Sequence, residues 1–430
     1  MTHVASPQAI LSRPLSLRSG ASLPNRLAKG AMSEVLADPV TGAPTDRLVR
    51  LYERWSRSGA GLLITGHVII DRGGVGEPGN VVIEDDRHLP GLRRWAETAQ
   101  AHGARLWMQL NHAGRQTPRR VVRQPVAPSP VGLRGFGGMF ARPRALTGDE
   151  IEALIGRFAG AAVVARDAGF AGVQVHAAHG YLFSQFLSPL TNQRDDVWGG
   201  DLAGRMRFLV ETVRAIRAAT GPDFGLGVKL NSADFQRGGF TTDEAMQVAQ
   251  ALDAAGIDLL EVTGGNYESP AMTGSGELPA AQRASSLRRE AYFLEYAQRI
   301  RTVTAVPILL TGGMRTAATM AAAITGGAVD AVGLARPMAF EPDLPAKLLA
   351  GAEGAEAVRI RSRVRKIDDM LQVFWYQAQI HAMGDGREPD PGLGRWSALW
   401  HGLRGSILAR TPGEQARPAP VPAPAAAAGG

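Results

Sequence analysis

Short runs of β-branched and aliphatic residues alternate with longer amphipathic windows along most of this chain. The runs lie at 26–31, 61–65, 104–110, 172–176, 225–231, 258–263, 306–310 and 330–333. Each is four to seven residues long and bounded by Gly, Pro, Asn or Asp, so each reads as a buried strand. Between them, apolar residues recur at helical spacing near 46–58, 88–102, 149–168, 202–219, 242–255, 286–303 and 316–326. Two of these windows open with a capping box, Thr147-Gly-Asp-Glu150 and Thr241-Thr-Asp-Glu244. In each, hydroxyl and carboxylate satisfy the first free amides of a helix. Eight strands alternating with helices require parallel pairing through right-handed crossovers. The closed solution is a (β/α)8 TIM barrel with its active site at the C-terminal strand ends. An open doubly wound sheet is the alternative.

The rhythm breaks twice. Residues 111–146 are rich in Pro, Gly and Arg without a clear period, which predicts a long functional loop after the third strand. After residue 345 the barrel pattern is exhausted. The expected organisation is therefore a barrel over 1–345 and a helical C-terminal extension over 346–411. A Pro/Ala-rich, disordered tail over 412–430 would follow. Within the extension, 355–383 and 395–408 read as helical.

Composition narrows the chemistry. The 430 residues contain no Cys, which excludes disulfides, thiolate nucleophiles and Cys-held metal clusters. No run of 18 uncharged apolar residues occurs, and the N-terminus lacks the apolar core of a secretory signal. A soluble cytoplasmic protein with no membrane contact is expected. The net charge is +7, with 43 Arg and only four Lys among the 47 cations. They are scattered rather than striped, so a nucleic-acid partner is not expected.

Candidate chemistry gathers at predicted strand ends. Gly74-Val-Gly-Glu-Pro-Gly79 fits GxGxxG, but no helix follows Pro78, so it reads as a loop rather than a dinucleotide site. His176 ends the fourth strand, with His179 and Tyr181 just beyond. Two imidazoles and a phenol could hold a carbonyl oxygen and supply a proton, form a structural polar layer, or offer an HxxH metal pair. No third ligand stands at a recognisable spacing, and no metal is expected. Lys229 at the fifth strand could neutralise an anion, form a Schiff base as in barrel aldolases, or sit in a salt bridge. Thr311-Gly-Gly-Met314 and Gly333-Leu-Ala-Arg-Pro337 look like a phosphate cradle, with Arg336 adding charge to backbone amides.

At this point the motifs are recognisable. HAAHGYLFSQFLSPLTNQRDDVWGG (176–200), PNRLAKGAMSE (24–34) and WMQLNHAGRQ (107–116) resemble the old yellow enzyme / NADH:flavin oxidoreductase family over roughly residues 10–345. The resemblance implies a barrel with non-covalent FMN. Such a barrel passes hydride from NAD(P)H through flavin N5 to the activated C=C bond of an α,β-unsaturated carbonyl compound. It implies His176 and His179 as holders of the carbonyl oxygen and Tyr181 as proton donor. It also implies Ala31, Met32, Ser33, Gly66, Gln109 and Lys229 around the flavin ring. Gly313, Met314, Ala335 and Arg336 would lie at its phosphate. Ser33 stands where many members carry Cys or Thr. Lys29 lies in the first strand where apolar residues are common, which predicts a buried acidic partner. A small-molecule substrate and a homo-oligomer are expected. A flavin-dependent dehydrogenase or demethylase using the same site, and a Lys229 Schiff-base aldolase, are the alternatives.

Overall fold

The computed structural model describes residues 5–134, 136–264, 293–355 and 365–408. Eight parallel strands form the barrel: β1 Leu27–Lys29, β2 Leu62–Ile69, β3 Arg105–Asn111, β4 Gly172–Ala177, β5 Gly225–Asn231, β6 Leu259–Thr263, β7 Ile308–Thr311 and β8 Ala331–Leu334. They pair in sequence order, and β1 pairs with both β8 (Val332 with Leu27) and β2 (Ala28 with Leu62), which closes the barrel. The open-sheet alternative is thereby excluded. The outer ring consists of α1 Asp46–Ser56, α2 Leu89–Gln100, α3 Gly148–Asp167, α4 Leu202–Thr220, α5 Thr242–Ala254, α6 Leu294–Arg301 and α7 Ala317–Thr325. Both capping boxes form. The predicted helix at 286–303 is described only from residue 293 onward.

Alternation along each strand sorts the side chains into two cores. Val173, Val175, Val228, Leu230 and their counterparts face the helices. Ala28, Leu62, Ile64, Trp107, Leu259, Leu309 and Ala331 fill the barrel floor. The floor has room for Trp107 because Gly172, Gly225 and Gly227 face it. A Cβ at any of these three would come within 2.7 Å of the indole. From below, the hairpin strands Leu15–Ser16 and Ser22–Leu23 add Leu15, Leu17 and Leu23 to this cluster and plug the N-terminal mouth. Polarity inside the barrel therefore rises towards the C-terminal mouth, where Gln109, Gln174, His176, Lys229 and Glu261 are all buried.

The 111–146 segment is more ordered than its composition predicts. Val126–Ala127 pairs with Arg144–Ala145, and Pro118 bridges Phe140. Beyond Gly79 the chain enters the short strand Val81–Val82 rather than a helix, as expected of a loop. At the C-terminal end, α8 Leu344–Ala350 crosses the point where the barrel pattern stops. Then α9 Arg365–Gly384 and α10 Arg395–Leu408 pack together. Trp375, Phe340 and Ala398 form a small core between them and the barrel, and Trp375 Nε1 donates to the Leu393 carbonyl at 3.0 Å. The extension is clamped on α1. Arg54 takes Asp343 bidentately at 2.6 and 2.7 Å and also reaches Glu388, Arg47 pairs with Asp385 at 2.6 Å, and Arg50 donates to the Gly384 carbonyl at 3.0 Å. The tail beyond residue 408 and the segment 356–364 lie outside the described residues.

Candidate active site

The C-terminal strand ends carry every residue singled out in the sequence. Gly66, Gln109, His176 and Lys229 lie within β2, β3, β4 and β5. Ala31–Ser33, His179–Tyr181, Gly313–Met314 and Ala335–Arg336 lie on the segments that follow β1, β4, β7 and β8.

His176, His179 and Tyr181 converge. The ring of His176 lies edge-on to His179 at 5.1 Å and to Tyr181 at 4.9 Å between centroids. The turn that achieves this places His179 and Gly180 consecutively in the left-handed region, at φ 60° and 77°. A non-Gly residue there costs of order 1–2 kcal/mol. The Asn231 side chain opposes that cost by accepting the His179 amide at 3.2 Å. Burial pushes both imidazoles well below the usual histidine range, and Lys229 and the neighbouring rings push the same way. Both are therefore neutral. His176 Nδ1 accepts the Ala178 amide at 3.2 Å, so its proton resides on Nε2, a donor. His179 Nε2 lies 3.2 Å from the Thr263 hydroxyl.

A third imidazole, missed in the sequence reading, joins them. His67 packs edge-on against Tyr181 at 4.8 Å and His176 at 5.3 Å. The register between β2 and β3 shifts between Ile64 and His67. Without that bulge, period-two alternation from Leu62 and Ile64 would put Gly66 and Val68 inward. With it, Val68 joins the helix-facing core and His67 turns into the barrel. The available signal was a lone His after Thr-Gly in an otherwise apolar strand.

Below the imidazoles runs a continuous polar chain. Gln109 Nε2 donates to Gln174 Oε1 at 2.8 Å, Gln174 Nε2 donates to Glu261 at 2.7 Å, and Lys229 Nζ closes on Glu261 at 2.8 Å. This ion pair commits Lys229 Nζ to the Glu261 carboxylate rather than presenting it to a substrate carbonyl, as Schiff-base formation needs.

Lys29 has the acidic partner that its burial demands. It points out of the barrel towards α1, with Nζ donating to the Ile64 carbonyl at 2.8 Å, lying 4.2 Å over the Trp55 ring and 4.0 Å from Glu34. Burial lowers its pKa to about 8 despite Glu34. Glu34 also accepts the Gly66 amide at 2.7 Å and the Tyr52 hydroxyl. It thereby ties the β1 loop to the bulge in β2. A Cβ on Gly66 would fall 2.0 Å from Glu34 Oε2. Next in the chain, Val35 is held at φ 55°. From the extension, His381 Nε2 donates to the Glu34 carbonyl at 2.9 Å, and His401 Nε2 donates to His381 Nδ1 at 3.0 Å. Ser33 donates to Glu77 and accepts from Asn80 at 3.3 Å, and burial raises the Glu77 pKa.

Several polar atoms at the mouth suit a flat, polar-edged cofactor. Gln109 Oε1 and Thr311 Oγ1 are buried without a hydrogen-bond partner among the described residues. Gly312 and Gly313 adopt φ 155° and 79°, and β7 and β8 are direct neighbours, so the two glycine-containing segments lie side by side. The Met314 side chain is buried in the helix-facing core, which leaves its backbone for a ligand. Among the described residues no group of three or more His, Asp and Glu side chains converges as a metal site.

Fold and site define a closed-barrel oxidoreductase of the FMN-binding type. The chain belongs to the NADH:flavin oxidoreductase / NADH oxidase family, whose profile matches residues 11–354. It is 36% identical over 362 residues to the NADH-dependent flavin oxidoreductase iliE of Hypocrea jecorina (strain QM6a), covering 80% of this chain and 89% of that one. Among solved structures it resembles the old yellow enzyme homologue of Zymomonas mobilis, with TM-score 0.69 and 28% identity over 81% of this chain and 94% of the other. It also resembles morphinone reductase, with TM-score 0.67 and 27% identity over 83% and 95%.

Proposed function

We propose that this oxidoreductase reduces the activated C=C bond of an α,β-unsaturated carbonyl compound with electrons from NADH or NADPH. The observation that carries the reading is the convergence of two neutral imidazoles and a buried phenol at the mouth of the barrel. FMN, when bound, supplies the hydride relay between the nicotinamide and the substrate β carbon.

The chain's own residues supply position, charge stabilisation and the proton. Gln109 and Lys229 would hold the polar edge of the flavin ring, the backbone of Ala31–Ser33 and Gly66 would border it, and Gly313, Met314, Ala335 and Arg336 would take the phosphate. His176 and His179 donate N–H groups to the carbonyl oxygen, and these bonds strengthen as negative charge develops there. Neutral imidazoles suit this task, because each keeps one ring nitrogen protonated across the physiological range. Tyr181 transfers its phenolic proton to the α carbon, which completes the addition of two hydrogens across the double bond.

A para-substituted phenol titrated into the FMN-loaded protein tests the oxyanion site through the visible spectrum. Replacing both His176 and His179 by Ala removes two charge-assisted bonds to a phenolate, which should weaken binding at least about 100-fold. Unchanged affinity would contradict the assignment. A cytoplasmic location and a homo-oligomer remain part of the proposal. Among the described residues no helix is long and apolar enough to cross a membrane, and sedimentation equilibrium reads the oligomeric state.

A further inference from the structure

The proposed mechanism uses two imidazoles and leaves the third unassigned. His67 occupies the inward side of β2 only because the strand bulges between Ile64 and His67. Its Nδ1 is buried with no hydrogen-bond partner among the described residues. A buried polar atom left without a partner costs about 1–3 kcal/mol. An arrangement that spends both a bulge and that penalty points to a ligand that completes the bond. The ring forms a triangle with Tyr181 and His176, at 4.8 and 5.3 Å, while His179 lies 5.1 Å from His176. The other titratable groups facing the three rings are Lys229, itself paired with Glu261, and Tyr181.

Resting on the ene-reductase reading, we infer that His67 is a specificity-determining donor that binds a second acceptor oxygen of the substrate. One oxygen of the electron-withdrawing group lies on His176 and His179, and the other on His67. The favoured substrate class is then an activated alkene whose withdrawing group carries two oxygens, such as a nitro, ester or carboxylate group, rather than a simple enone. No proton leaves His67 in this role, since its imidazole binds in the neutral form.

Two substrates with the same ring separate this inference from its premise: 1-nitrocyclohexene presents two acceptor oxygens, and 2-cyclohexenone presents one. The FMN-loaded protein is reduced anaerobically, mixed with either substrate in a stopped-flow instrument, and the second-order rate of flavin reoxidation is recorded. The readout is the ratio of the two rates. His67→Leu should lower that ratio about tenfold, the size of one lost hydrogen bond. His67→Asn, whose side-chain amide nitrogen takes the place of Nδ1, should restore it to within about threefold of wild type. The flavin absorption band should keep its position in both variants. An unchanged ratio in His67→Leu would overturn the inference and leave the ene-reductase reading intact. A shifted flavin band with an unchanged ratio would assign His67 to the cofactor instead. Failure of both substrates to reoxidise the wild-type protein would overturn the ene-reductase reading, and the inference with it.

Discussion

Removing the Tyr181 hydroxyl is the sharpest perturbation of the proposed chemistry. The side chain is only 6% exposed and is packed against His67 and His176, so Tyr181→Phe deletes one oxygen from an otherwise unchanged wall. A positioned general acid contributes roughly 10²- to 10⁴-fold, which corresponds to about 3–5 kcal/mol at about 1.4 kcal/mol per decade. The neighbouring imidazoles cannot replace the acid. They are neutral, and a neutral imidazole is a far weaker proton donor than a phenol. The whole loss should therefore appear in the step that protonates the α carbon. Anaerobic stopped-flow measurement separates the two halves of the cycle. Bleaching of the flavin by NADH should proceed within about twofold of wild type, because hydride delivery to the flavin needs no proton from Tyr181. Reoxidation by 2-cyclohexenone should slow by at least about 100-fold. Equal slowing of both halves, or no slowing of reoxidation, would remove Tyr181 from the donor role.

Two further predictions concern the groups around Glu34. Lys29 has a folded pKa of about 8 against an ordinary value of 10.5. Between these limits the unfolded chain holds more protons, so stability should rise with pH by up to about 3 kcal/mol at 1.36 kcal/mol per unit. Urea unfolding at pH 7.5 and 10.5 should show that increment in wild type and lose it in Lys29→Met; an identical pH response in both would refute the assignment. His381, pushed down to about 4 by burial, acts with the same sign in the acid range. Stability should fall as pH drops from about 6.5 towards 4, and His381→Gln should blunt that fall by up to about 3 kcal/mol. An unaltered acid profile would count against the buried contact with the Glu34 carbonyl.

Much of the architecture was readable from periodicity, because a parallel barrel buries both faces of its strands and leaves uninterrupted apolar runs. The β5 run matches the observed strand at both ends, and β3, β4, β6, β7 and β8 begin or end within two residues of expectation. What period-two reading could not see was the bulge in β2. The strand continues to Ile69, past the predicted end at residue 65, and the register shift reverses which side chains face inward. His67 was missed for that reason. Lys29 was legible as an anomaly, yet its partner was not. Glu34 lies only five residues on, but it returns to Lys29 through a loop whose geometry depends on Val35 at positive φ and on His381 from the far end of the chain. Contacts closed by a distant segment leave no periodic trace. Motif and geometry met at His176, His179 and Tyr181 because the end of one strand and the turn after it carry all three.

The central claim is tested most directly by following the flavin itself through one complete turnover. The purified protein, loaded with FMN under anaerobic conditions, is titrated with NADH and then with 2-cyclohexenone, and the product is identified by gas chromatography. The account predicts stoichiometric bleaching by NADH, full return of the yellow band on adding the enone, and one equivalent of cyclohexanone. A bleached protein that molecular oxygen reoxidises while no activated alkene does would contradict it, and would leave an oxidoreductase whose imidazole pair serves another acceptor.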